Sequence, residues 1–243
     1  MSFLFHILIL LVFFPIVLFS AVLPYQKGKI YTYSIQMGDA SPGFCRFMLR
    51  DTLLEKRPSL VLSETLFVRN AQLIAEGRST LCLNERGLPL SYHGESQYDF
   101  RNNADKSGRY ETNIRFIPEG ANVEVQRNGK RLRQSGVPLQ KGPFHTLESN
   151  HIGQYCLTLF YLNDLLADSL SGKVFHIGSY RSAEFALQLV RLAKIQTAQG
   201  LVPVRRVEAL LFGKPFATLF ITPEGLLIRD EEQNGDLIIE LME

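Results

Sequence analysis

The stretch Leu88-Pro89-Leu90-Ser91-Tyr92-His93-Gly94-Glu95-Ser96-Gln97-Tyr98-Asp99-Phe100 decides the fold class. Leu88, Leu90, Tyr92, Tyr98 and Phe100 fall on one side of an extended chain, with small Gly94 and Ser96 between them. Pro89, Ser91, His93, Glu95, Gln97 and Asp99 fall on the other. A period of two held this long is a strand with one wet and one buried face, because a helix would scatter the apolar positions around its axis. Such a strand belongs to an antiparallel sheet.

Outward from it the same pattern recurs. On the C-terminal side Tyr110, Thr112, Ile114 and Phe116 alternate. Val123 and Val125 then lead to Asn128-Gly129, the strongest two-residue hairpin signal, with Lys130 to Arg133 as the return arm. On the N-terminal side Lys29 to Met37 alternates, Gly38 to Gly43 reads as a turn, and Phe44 to Arg50 is the return strand. Ser59 to Arg69 and Gln72 to Leu83 follow as a pair, closed by the turn residues Asn84 to Gly87. After the connection 136–150 the period changes. Asn150 is suited to an N-cap, and Ile152, Tyr155, Cys156, Leu159, Phe160, Leu166 and Leu170 recur at helical spacing up to Gly172. Lys173 to Ser179 returns to strand. Residues 182–198 offer both patterns, but Gln199-Gly200 makes a turn into Val202 to Phe212, which favours strand. Three short runs separated by Gly213-Lys214-Pro215, Thr222 to Gly225 and Gln233-Asn234-Gly235 complete a meander of hairpins.

These elements predict a mainly β (α+β) fold: a curled antiparallel sheet or incomplete β-barrel, with one apolar helix packed at its concave side. At 243 residues, with 46% hydrophobic and 21% charged, residues 25–243 make one β-rich domain. The segment 1–21 is read as a signal peptide or an N-terminal membrane anchor. From Phe3 to Leu23 there is no charged residue, and a run apolar on every face is expected to be exported or inserted. Leu18 and Phe19 stand where a signal peptidase prefers small residues, so cleavage and retention as an anchor both stay open. The net charge of +2 gives no drive toward nucleic acid.

The ending Val207-Glu208-Ala209-Leu210-Leu211-Phe212-Gly213, Phe220-Ile221-Thr222-Pro223-Glu224-Gly225-Leu226-Leu227-Ile228-Arg229 and Gly235-Asp236-Leu237 resembles the last hairpins of bacterial periplasmic half-barrel proteins of unknown function and, more distantly, the LolA-type lipoprotein carriers. The resemblance implies a curved sheet with an apolar concave face and carries over no catalytic residue.

Candidate chemistry is sparse. His145, Glu148 and His151 are the one His/acid cluster, without the spacing of a helical zinc motif, and no metal or cofactor is expected. There is no Gly-x-Ser-x-Gly elbow, and Cys156 on an apolar helix face is expected to be buried and inert. Cys45, Cys82 and Cys156 allow at most one bridge. They read first as small buried hydrophobes, and Cys45–Cys82 is the pair expected if a bridge forms. The basic hairpin Arg127 to Arg133 suits either anionic headgroups or a charge-guarded sheet edge. The resulting expectation is an envelope protein, periplasmic or secreted or held in the inner membrane. It would bind a lipid or the apolar segment of a partner non-enzymatically, through a groove containing Tyr155, Leu159 and Phe160. A periplasmic hydrolase with an unrecognised site is the alternative.

Overall fold

The computed structural model describes residues 23–38, 40–139, 142–148, 151–161, 169–198, 200–232 and 237–242. The segment up to residue 22 expected to drive export, the expected cap residue Asn150, Leu166, Gln199 and the expected turn Gln233-Asn234-Gly235 lie outside them.

The strands are β1 Ile30–Met37, β2 Ala40–Leu54, β3 Arg57–Arg69, β4 Leu73–Asn84, β5 Pro89–Phe100, β6 Gly108–Ile117, β7 Gly120–Arg127, β8 Lys130–Pro138, β9 His145–Leu147, β10 Ser169–His176, β11 Arg181–Thr197, β12 Gly200–Leu211, β13 Lys214–Ile221, β14 Leu227–Glu232 and β15 Leu237–Leu241, with helix α1 at Ile152–Tyr161. All fifteen strands form one sheet in the order β8-β7-β6-β5-β4-β3-β2-β1-β15-β14-β13-β12-β11-β10-β9. Every pairing is antiparallel except β9 with β10. The first and last strands meet in the middle, and β8 and β9 are the two free edges. The sheet curls until the strands near these edges meet through side chains, and among the described residues the two edges do not pair. Phe116 of β6 lies edge-on to Phe175 of β10 at 5.5 Å, and the Arg133 guanidinium of β8 sits 4.8 Å from the Tyr180 ring. Side chains bridge the seam, so the barrel is incomplete.

Helix α1 fills the concave side. Residues 151–159 are all buried, in a core that includes Tyr33, Phe47, Leu62, Leu81, Phe175 and Phe185. The close approach depends on Gly153. A Cβ there would lie 2.8 Å from Leu62 and 2.9 Å from both Phe47 and Glu64, so a larger residue would force the helix off the sheet. Gly43 does the same between strands, since a Cβ there would collide with the Phe67 carbonyl oxygen.

Several expectations are corrected. Leu170 and Gly172 are not helical: they pair with Leu187 and Phe185 in the β10–β11 ladder, so backbone pairing overrides a spacing that suited either state. The strand begins at Ala40, inside the expected turn Gly38 to Gly43. A register shift between Cys82 and Leu83 pairs Leu83 with Pro89, which turns Pro89 into the core and leaves Leu90 only half-buried. The Cys45–Cys82 bridge does not form, and all three cysteines are free. On the intervening β3, Cys45 faces Leu66 and Cys82 faces Val61. With strands about 4.8 Å apart and a rise of about 3.3 Å per residue, they lie far beyond the roughly 4.4–6.8 Å that a disulfide spans. Residues 182–198 do form a strand up to Thr197, and Asn128-Gly129 make the expected hairpin turn, with φ of 49° and 74°.

Candidate functional site

In β3, Leu60, Leu62, Glu64 and Leu66 share one face, so the pleat carries a carboxylate into the apolar interior. Its side chain is 0% exposed. Glu64 Oε1 accepts the Gly153 N–H at 2.8 Å, capping the first turn of α1 from a distant strand. Glu64 Oε2 makes no hydrogen bond but lies 3.4 Å from His151 Nδ1. The same Nδ1 is 3.1 Å from Ser79 Oγ on β4, and His151 Nε2 is 3.6 Å from Glu148 Oε2. Tyr92 of β5 donates to that Glu148 oxygen at 2.5 Å. Burial alone would push the His151 pKa down. The Glu148 and Glu64 carboxylates outweigh it and hold the imidazolium to about 9.

Serine, histidine and glutamate within reach of one another evoke a nucleophilic triad, but the arrangement is different. A triad base uses its two nitrogens separately, one toward the nucleophile and one toward the acid. Here Ser79 and Glu64 share Nδ1 while Nε2 faces a second carboxylate. A ring held protonated at neutral pH does not abstract the serine proton. The cluster is therefore a charged clamp that fixes the start of α1 inside the sheet.

The expected His/acid cluster is only partly assembled. His151 and Glu148 meet, whereas His145 stacks on Tyr161 with ring centroids 5.4 Å apart. Among the described residues, no group of His, Cys, Asp and Glu is arranged to hold a metal. The Cys156 thiol is pushed up to about 12 by burial and lies 3.9 Å from the Tyr33 hydroxyl. A thiol so placed stays protonated and inert. Arg127, Arg131 and Arg133 of the basic hairpin are engaged. Arg127 donates to the Ser107 carbonyl at 2.7 Å, Arg131 pairs with Glu124 at 3.3 Å, and Arg133 covers Tyr180.

The structure separates the three residues expected to line a groove. Leu159 is 1% exposed and belongs to the core. Tyr155 is buried beside Phe216 and borders a cavity of 40 Å³ together with Asp230. The buried Asp230 carboxyl is raised to about 7 by burial and by Glu232 and Glu231, and its Oδ1 has no hydrogen-bond partner. Phe160 is half-buried at the far end of α1 and lines an open cleft of 960 Å³ with Leu23, Tyr25, Leu53, Leu60 and Tyr161. Leu53 is 71% exposed there, and a Lys27–Asp51 ion pair of 2.7 Å marks the rim. A second open groove, of 1430 Å³, runs along β4 to β8, where Thr80, His93, Asn113, Glu124 and Gln134 form a cross-strand row on the face opposite the core. Its lining is mixed, with Leu88, Leu90, Ile114 and Phe116 beside that polar row.

One solved structure agrees with this architecture. A β-barrel-like protein of the domain of unknown function DUF1849 from Brucella abortus superposes over 87% of this chain and 93% of its own, with a TM-score of 0.52 and 8% identity. The fold is β-barrel-like. A DUF1089 family protein from Pseudomonas aeruginosa aligns over 74% of this chain and 87% of its own, with a TM-score of 0.40 and 14% identity. No family model and no curated protein matches the sequence.

Proposed function

We propose that this domain is an exported, non-catalytic carrier that holds the acyl chain of a lipid in the cleft beside Phe160. The observation that carries the reading is the placement of open apolar space. Helix α1 occupies the concave side, so a ligand cannot lie along the sheet interior. Where α1 ends, Leu23, Leu53, Leu60, Phe160 and Tyr161 surround a cleft whose wall is mostly apolar, whereas the groove along β4 to β8 is mixed. Each buried methylene contributes about 0.8 kcal/mol, so eight of them would supply about 6 kcal/mol. Export rests on the uncharged run from Phe3 to Leu23.

Two measurements test these halves separately. A reporter fused after Gly28 should be found outside the cytoplasm, and a soluble cytoplasmic reporter would end the export reading. Displacement of a fluorescent fatty acid should give saturable binding that Phe160→Asp and Leu53→Asp each weaken about tenfold or more, corresponding to about 1.4 kcal/mol. Both positions are at least partly exposed, so these variants should keep the unfolding midpoint of the parent. Leu159→Asp would unfold the core and test nothing. Saturable binding of an apolar peptide but not of fatty acid would reassign the cleft to a partner segment. Unchanged affinity in both variants would rule the cleft out.

A further inference from the structure

The β11–β12 hairpin outgrows the sheet. β10 covers β11 only as far as Gln188, and β13 reaches β12 only from Arg205 onward. Among the described residues, 191–197 and 200–204 therefore pair with each other alone. One face of this ribbon is anchored, with Ala193, Ile195, Val202 and Val204 packing on Phe220 and Ile228. The opposite face carries Leu192 and Leu201, exposed by 76% and 67%, and Val190 at the bulge is 52% exposed. A soluble protein normally scatters such residues singly. The charge is as one-sided as the exposure: residues 190–206 contain Arg191, Lys194, Arg205 and Arg206 and no Asp or Glu.

Register fixes where the ribbon points. β1 runs away from the cleft, and following the antiparallel pairings through β15, β14, β13 and β12 brings the 197–200 turn to the cleft end. Leu53, Ile30 and Met242, exposed by 71%, 57% and 52%, lie at that same end. We propose that this hairpin docks the protein on an anionic phospholipid surface, with Leu192 and Leu201 entering the boundary between headgroups and acyl chains. Lys194 shares their face and exposed Arg191 borders Leu192 from the other, both within reach of the headgroups. Aromatic or aliphatic tips between cations are the composition that lies stably in that layer, and the attraction to anionic lipid is screened by salt. The inference does not require the cleft to hold a lipid.

The chain contains no Trp, so a single introduced one reports locally. Full-length Leu201→Trp protein, mixed with vesicles of phosphatidylglycerol and phosphatidylcholine, should show blue-shifted emission and lose quenching by acrylamide. Leu132→Trp, at an exposed position of β8 near the opposite end, should do neither. This contrast separates hairpin docking from adsorption through the apolar N-terminal run. Adding Arg191→Ala and Lys194→Ala should raise the lipid concentration for half-maximal shift about tenfold or more, from about 1 kcal/mol per cation. An unshifted emission from the Leu201→Trp protein, equal shifts in the two Trp variants, or an equal shift on pure phosphatidylcholine would each overturn the proposal. Failure here with fatty-acid binding intact would leave the carrier reading standing.

Discussion

Glu64→Ala is expected to lower the unfolding free energy by about 3–5 kcal/mol, the usual cost of stranding a buried charge. The substitution leaves the His151 imidazolium facing Glu148 alone and removes the acceptor of the Gly153 N–H, at a helix start that has no room to rearrange. Urea unfolding of the single variant and of the double variant Glu64→Leu, His151→Leu gives the decisive comparison. Replacing both buried charges by apolar groups of similar size should recover part of the loss, because desolvation is no longer uncompensated. A double variant no more stable than Glu64→Ala would show that the charges do not act as a pair.

The second large effect is on pH dependence. His151 titrates at about 9 in the folded chain, above the ordinary 6.5 of the unfolded one. A folded pKa raised in this way stabilises fully below the unfolded value and is lost as pH rises through the folded value. Unfolding free energy should therefore fall by about 3 kcal/mol between pH 6.5 and pH 9, at 1.36 kcal/mol per unit. Asp230 acts in the same direction over a lower window. Burial and the neighbouring Glu232 and Glu231 raise it to about 7, so its contribution is present below its ordinary 3.8 and lost on the way to 7. Stability should thus be greatest in mild acid and decline through neutrality into alkali. His151→Gln should abolish the upper limb of that decline. A profile flat from pH 6.5 to 9 would mean that the carboxylates do not hold the imidazolium.

Much of the fold is legible because turns punctuate this sequence closely. Asn128-Gly129 and the alternation from Leu88 to Phe100 each specify local geometry without outside help. What fails depends on partners distant in the chain. Leu170 sits at a spacing that suits a helix or a strand, and only its ladder with Leu187 decides between them. Cys45 and Cys82 both lie in strands, but pairing of two strands says nothing about a third between them. The interior clamp leaves one sign in the sequence, Glu64 on the face of Leu60, Leu62 and Leu66, where a charge must find a partner. Its partner His151 lies across a connection that no periodicity links to β3. The hairpin of residues 190–206 leaves a plainer sign, four cations without an acid. That pattern escapes a reading that weighs residues 182–198 only as helix against strand.

The meeting of β1 and β15 bears on the order in which the chain acquires its structure. Every other neighbour in the sheet is the next strand in sequence, so two meanders can zip locally, with only β9 reached across α1. The joint between them brings Tyr33 to Leu241, and a closure across nearly the whole chain is the slow, entropically costly kind. Until Leu237–Leu241 arrives, one side of β1 and one side of β14 present unpaired backbone. A chain delivered N-terminus first thus keeps an adhesive seam open until β15 has emerged, and a nascent copy nearby could pair with it. Sealing of the sheet therefore waits on the arrival of β15, whichever of the two meanders folds first.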